Sequence, residues 1–268
     1  MIILNGISKS FGNCPALRDL SLRVEAGDVV ALIGPNGAGK STALRILAGV
    51  IRPDRGGATI NGRDVVADDE ARRFVGYLPQ KLGVPLTTTV MDLARLVARV
   101  RGVDLAVVLT ALEETGLTHR ARAPLAELSG GQKQRVMLTL ATLGPVTSLL
   151  LDEPSINLDV DGSEEVRGLI RSARNRGHAV LFASHHLSDV AVLADRLVVL
   201  VDGRVIAQGT MPELAACAGV TWNGPAEVLV EMVYRTLIAR TRSSGVPVHP
   251  PFCQLVGEKP GTRVRGAA

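Results

Sequence analysis

The chain has 268 residues, 46% of them hydrophobic and 21% charged, with a formal net charge of +4. That is enough to bury a sizeable core in one large or two small domains, and the composition is that of an ordinary globular protein. The positive charges are scattered and aromatics make up only 3% of the chain, which argues against a base-stacking surface, so no direct nucleic-acid contact is expected.

Cys14, Cys217 and Cys253 lie far apart and form no C-x-x-C pair. They read as free thiols in a reducing compartment, without a disulfide frame or zinc site. The opening MIILNGISKSF lacks a cationic lead and a long apolar run, so no signal peptide is expected. The densest apolar window, 190–201, is broken by Asp195 and Arg196, so no membrane span is expected either.

Along the chain, the first thirty or so residues alternate as short strands with turns do. VVALIG, 29–34, is a buried strand feeding a loop, and STALRILAGV continues it with Leu44, Leu47 and Ile51 at helical spacing. GATINGRDV reads as a hairpin about Asn61-Gly62. Residues 88–117 offer two helices, with Val90, Leu93, Ala94, Val97 and Val100 marking one face of the first, and another helix follows LSGGQ at 128–132. Apolar strands then alternate with helices: SLLLDEP at 148–154, a helix over 162–176, AVLFASHH, a helix over 187–194, and RLVVLVDG. Such alternation predicts a parallel sheet covered on both faces. A helix is predicted over 226–242, and residues 243–268, rich in Pro and Gly, read as a disordered tail.

GPNGAGKST meets G-x-x-x-x-G-K-[ST] with Gly34, Gly39, Lys40 and Ser41, between a predicted strand and a predicted helix. The chemistry is that of backbone N–H groups wrapping an anion at a helix N-terminus, with Lys40 reaching the β- and γ-phosphates and Ser41 able to ligate Mg²⁺. Asp152, at the end of the next apolar strand, fits a second Mg²⁺ position, and Glu153 is then set to polarise an attacking water. At this point GTPases and simple kinases stay open, although the guanine-reading N-K-x-D is absent.

LSGGQ, in order with the motifs above, resembles the signature of the ATP-binding cassette (ABC) ATPases, and the likeness covers about residues 2–211. The resemblance implies an α/β fold: a P-loop NTPase with a parallel core sheet, an N-terminal antiparallel β subdomain and a small helical insert. The expected division is a cassette over 1–215 with the insert at about 82–145, a helical extension over 216–242, and the tail. The resemblance further implies that two cassettes close head to tail on ATP and Mg²⁺. Gly34, Pro35, Asn36, Gly37, Ala38, Gly39, Lys40, Ser41 and Thr42 would cradle one nucleotide, while Ser129, Gly130, Gly131 and Gln132 would meet the partner's. Phe11 is similar to the aromatic that stacks on adenine, and Gln80 to the glutamine that touches Mg²⁺ or water and senses a membrane subunit. Asp159 is similar to the acid of the loop joining the two cassettes, although Ile156 and Asn157 are atypical there. His185 is similar to the switch histidine on the γ-phosphate, with His186 the alternative.

The implied activity is an ATPase on the cytoplasmic face of a membrane, paired with a second copy or a related cassette and with a separate integral membrane permease. The short insert favours an exporter over an importer cassette. A soluble ABC-type ATPase acting on nucleic acid or a protein complex is the alternative.

Overall fold

A computed structural model describes residues 1–244 except 82, 115 and 157. Of the tail expected over 243–268, residues 243 and 244 instead end the last helix, and the rest, with Cys253 and Asn157, lies outside the described residues.

Two sheets share the work. The N-terminal strands β1 (Ile2–Phe11) and β2 (Cys14–Val24) pair antiparallel, and β1 also pairs antiparallel with β4 (Arg55–Ile60). The short β5 (Arg63–Asp64) completes the expected hairpin at Asn61-Gly62. The order in this sheet is β2-β1-β4-β5.

The second sheet contains β3 (Val29–Ile33), β6 (Val75–Leu78), β7 (Ser148–Asp152), β8 (Ala179–Ala183), β9 (Arg196–Val201) and β10 (Arg204–Gly209). The order is β10-β9-β3-β8-β7-β6, parallel throughout except for β10, which runs antiparallel to β9. Every residue of β3, β7 and β8 is buried, as their unbroken apolar sequences require. The two-residue period splits these strands between two cores. Val30, Leu32, Leu150 and Leu181 pack toward the antiparallel sheet and helix α1 (Lys40–Leu47). Val29, Ala31, Leu149, Leu151, Val180 and Phe182 face the opposite core.

That opposite core is closed by α4 (Gly130–Ala141), α5 (Val160–Asn175), α6 (Leu187–Leu193), α7 (Met211–Ala218) and α8 (Ala226–Ser244), after the helical insert of α2 (Val90–Arg101) and α3 (Leu105–Glu114). Val230, Val233 and Leu237 of α8 are buried in the same cluster as β7 and β8. The expected division at 215 falls inside α7. The insert keeps an apolar cluster of its own, in which Leu93, Val108 and Leu112 pack with Val136 of α4.

Parallel strands put all their carboxyl ends at one edge, the place where open α/β sheets bind ligands. The loops after β3, β6, β7 and β8 emerge there, carrying residues 34–39 (just ahead of Lys40 and Ser41 at the start of α1), Gln80, Glu153 and His185 respectively. No helix among the described residues is long and apolar enough to cross a membrane.

Candidate nucleotide site

The loop after β3 is shaped by close backbone approaches. A Cβ on Gly34 would lie 2.1 Å from Leu200 O, and one on Gly39 would lie 2.5 Å from Ala16 O, at a positive φ of 104°. Gly39 is also the N-cap of α1 and has no side chain to cap it, so the first N–H groups of the helix are left for a ligand. Lys40 Nζ donates to Gly34 O at 2.8 Å and Pro35 O at 3.2 Å, which folds the ammonium back over its own loop.

A cleft of about 340 Å³ is lined by Ala16, Asn36, Gly37, Ala38, Gly39, Lys40, Ser41, Thr42, Gln80 and Glu153. Thus the loop, the glutamine and the acid, far apart in sequence, meet in one cavity. Phe11 does not line it. It ends β1 with its ring about half exposed, paired with Cys14 across the hairpin that leads to Ala16.

The electrostatics of the cleft fit a cation and a polyanion. Burial lowers the pKa of Lys40, while Glu153 and Asp152 pull it back up. Burial raises the pKa of Asp152, the Ser41 hydroxyl lowers it, and Glu153 raises it further. Ser41 is near enough to act in this way, yet neither buried oxygen of Asp152 has a hydrogen-bond partner of good geometry. A buried carboxylate with two unpartnered oxygens beside a hydroxyl is the donor set a hard divalent cation takes. Asp152 and Ser41 therefore fit the expected Mg²⁺, and Gln80 lines the same cleft as Ser41.

Glu153 sits at a φ of 53°, uncommon for a residue with a side chain and worth roughly 1–3 kcal/mol of strain. Its carboxylate is nearly buried and accepts from His185 twice, from the backbone N–H at 3.2 Å and through Nδ1 at 2.7 Å. Nδ1 is thus the ring nitrogen of His185 that Glu153 engages. Of the two adjacent histidines it is His185 that reaches Glu153. The next residue, His186, is held by its N–H on Ser184 Oγ at 3.0 Å, and its ring centroid lies 4.0 Å from that of His185.

The signature residues lie in a different cleft of about 310 Å³, lined by Ser129, Gly130, Gly131, Gln132, Arg135, Asp159, Asp161, Gly162 and Glu165. It shares no lining residue with the first. Ser129 caps α4 in a reciprocal box: its Oγ accepts from Gln132 N at 3.2 Å, and Gln132 Oε1 accepts from Ser129 N at 3.1 Å. The Gln132 side chain is thus engaged in holding the turn. Asp159 caps α5 by accepting from Gly162 N at 2.8 Å, which sets its carboxylate beside the signature turn. The sequence reading missed Gln134, whose amide donates to Pro154 O at 2.7 Å, because a helical glutamine carries no signal of a long-range acceptor. It also missed the bond from Arg167 Nε on α5 to the buried Asp189 of α6, 2.8 Å long.

Residues 17–156 match the family described as ABC transporter. The daunorubicin resistance ATP-binding protein DrrA3 of Streptomyces coeruleorubidus is 37% identical over 229 residues, covering 81% of this chain and 71% of its own length. The zinc import ATP-binding protein ZnuC of Yersinia enterocolitica is 37% identical over 201 residues, covering 75% of this chain and 76% of its own. An ATP-binding cassette solved as a dimer in a post-hydrolysis state with ADP and Pi superposes with a TM-score of 0.71 at 26% identity, covering 78% of this chain and 98% of that one.

Proposed function

Because the chain belongs to the ABC transporter family of ATP-binding proteins, we propose that it is the ATP-hydrolysing subunit of a membrane transporter, working as a head-to-tail dimer. The observation that carries the reading is Glu153, which lines the Lys40 cleft and is bonded to His185, itself on a separate cleft with Ser155 and Asp189. Lys40 and the open N-terminus of α1 neutralise the phosphates of ATP. Asp152, Ser41 and Gln80 would hold Mg²⁺, which would supply charge neutralisation to the phosphates. Phe11 offers its exposed ring to the adenine. Glu153 polarises the attacking water, and His185, anchored through Nδ1, presents Nε2 toward the γ-phosphate.

The second cleft explains why one chain carries two phosphate-seeking loops. Ser129, Gly130 and Gly131, at the N-terminus of α4, meet the γ-phosphate of the nucleotide held by the other copy, and Asp159 lies against the same junction. ATP binding closes the dimer, and hydrolysis replaces one anion with two and opens it. Because closed and open forms differ in affinity for ATP, the cycle can drive a partner. That partner is a separate membrane permease, with the cassette on its cytoplasmic face.

We read the direction as export. The daunorubicin-resistance relative and the short helical insert support it; the zinc-import relative, at the same identity, supports the competing importer reading. Efflux or uptake by vesicles holding the cassette and its permease separates the two.

The catalytic assignment is tested by Glu153→Gln. A general base contributes about 10²- to 10⁴-fold, so turnover should fall by on the order of 10² or more. An ATP-dependent dimer should persist on a sizing column. Turnover within a few-fold of wild type would remove Glu153 from the mechanism.

A further inference from the structure

Glu153 keeps a left-handed backbone that a residue with a side chain holds only when its surroundings enforce it. Within its own edge of the sheet, Glu153 N donates to Ala183 O at 2.9 Å and Ile156 N donates to Glu153 O at 3.2 Å. His185 fixes the carboxylate. One further bond comes from elsewhere: the Gln134 amide reaches across from α4 to the carbonyl of the very next residue, Pro154.

Gln134 sits about one turn into the helix that begins at the signature loop. The face it shares is turned toward the Glu153 loop and α5. Gly131 approaches Leu158, Arg135 pairs with Glu165 of α5 at 2.7 Å, and Leu138 enters the core beside β7. The loop of Glu153 is therefore braced by the same rigid element whose first residues meet a phosphate.

We infer that Gln134 is a positioning residue for Glu153, holding its strained turn in register from the signature helix. This rests on the reading of Glu153 as the group that polarises water. Without the bond to Pro154 O, the turn is free to relax toward ordinary backbone angles, and the carboxylate moves off the line of attack. In a head-to-tail dimer the consequence reaches further. α4 begins at the loop that touches the partner's nucleotide, so the bond makes each carboxylate responsive to occupancy of the opposite site.

Gln134→Met keeps the length and removes the donor; Gln134→Glu sets a second acceptor against Pro154 O and serves where the first variant folds poorly. Either should lower kcat on the order of 10- to 100-fold, the range a small misplacement of a catalytic group produces. KM for ATP and the ATP-dependent dimer should stay within about twofold, the pattern of a lost transition-state contact rather than lost binding. In a Glu153→Gln background, Gln134→Met should cost nothing more, since the group it positions is already gone. A kcat within about twofold of wild type in both variants overturns the inference, as does a loss of equal size in the Glu153→Gln background. Equal losses in kcat and dimer formation also overturn it, because they mark a helix-packing role. Those results leave the reading of Glu153 standing; near-normal turnover by Glu153→Gln alone removes both.

Discussion

Asp152 illustrates how a single side chain can be costly in the empty protein and useful in the loaded one. Its raised pKa means that the folded state disfavours the carboxylate. Such a group contributes stability below its unfolded pKa and loses that contribution as pH rises through its folded pKa. Above that folded pKa the protein without nucleotide bears the cost of the buried charge. Asp152→Asn removes the charge, and the midpoint of thermal unfolding without ATP should rise by about 2–4 °C at neutral pH, the shift expected for roughly 1 kcal/mol in a chain of this size. The gain should shrink as the pH is lowered toward the acid range, while ATPase activity is lost. A lower melting point at neutral pH would contradict the burial argument. The identities of Lys40, Asp152, Glu153 and His185 were legible in the sequence because each sits in a short motif that marks its place beside a strand end. The positive φ of Glu153 and the Gln134 bond were not, since both arise from which loops the folded sheet brings together.

Among the elements, those with strong periodicity were legible. β3, β7 and β8 read as unbroken apolar runs, and α2 as a striped helix whose Val90, Leu93 and Ala94 are buried while Val100, expected on the same face, is exposed. β6 and β10 escaped: one spans four residues and the other is a short antiparallel edge, too brief to show alternation. α7 escaped because MPELAACA offers little contrast between its faces, although Thr210 and Glu213 form a capping box. α8 was expected as an extension of the cassette, and its place in the core has a consequence. Leu237 is fully buried in the cluster shared with β7 and β8. Leu237→Ala should therefore cost about 2–5 kcal/mol and shift the unfolding transition of the whole cassette in denaturant. An unmoved main transition, with only helix fraying, would show that α8 is an appendage.

At the scale of the whole molecule, the salient fact is the separation of the Lys40 cleft from the Ser129 cleft. One chain presents the glycine-rich Lys40 loop with Glu153 in one place and the capped N-terminus of α4 in another. The likeness to a cassette solved as a dimer with ADP and Pi supports joining them across two copies. The most direct measurement mixes two inactive chains, Lys40→Ala and Ser129→Arg. Each alone has both composite sites broken. A mixed dimer has one site with both defects and one with neither, so equal mixing should restore roughly a quarter of wild-type ATPase activity, as random pairing into dimers requires. Full activity in either variant alone, or a mixture no more active than the sum of its parts, would contradict the two-chain site.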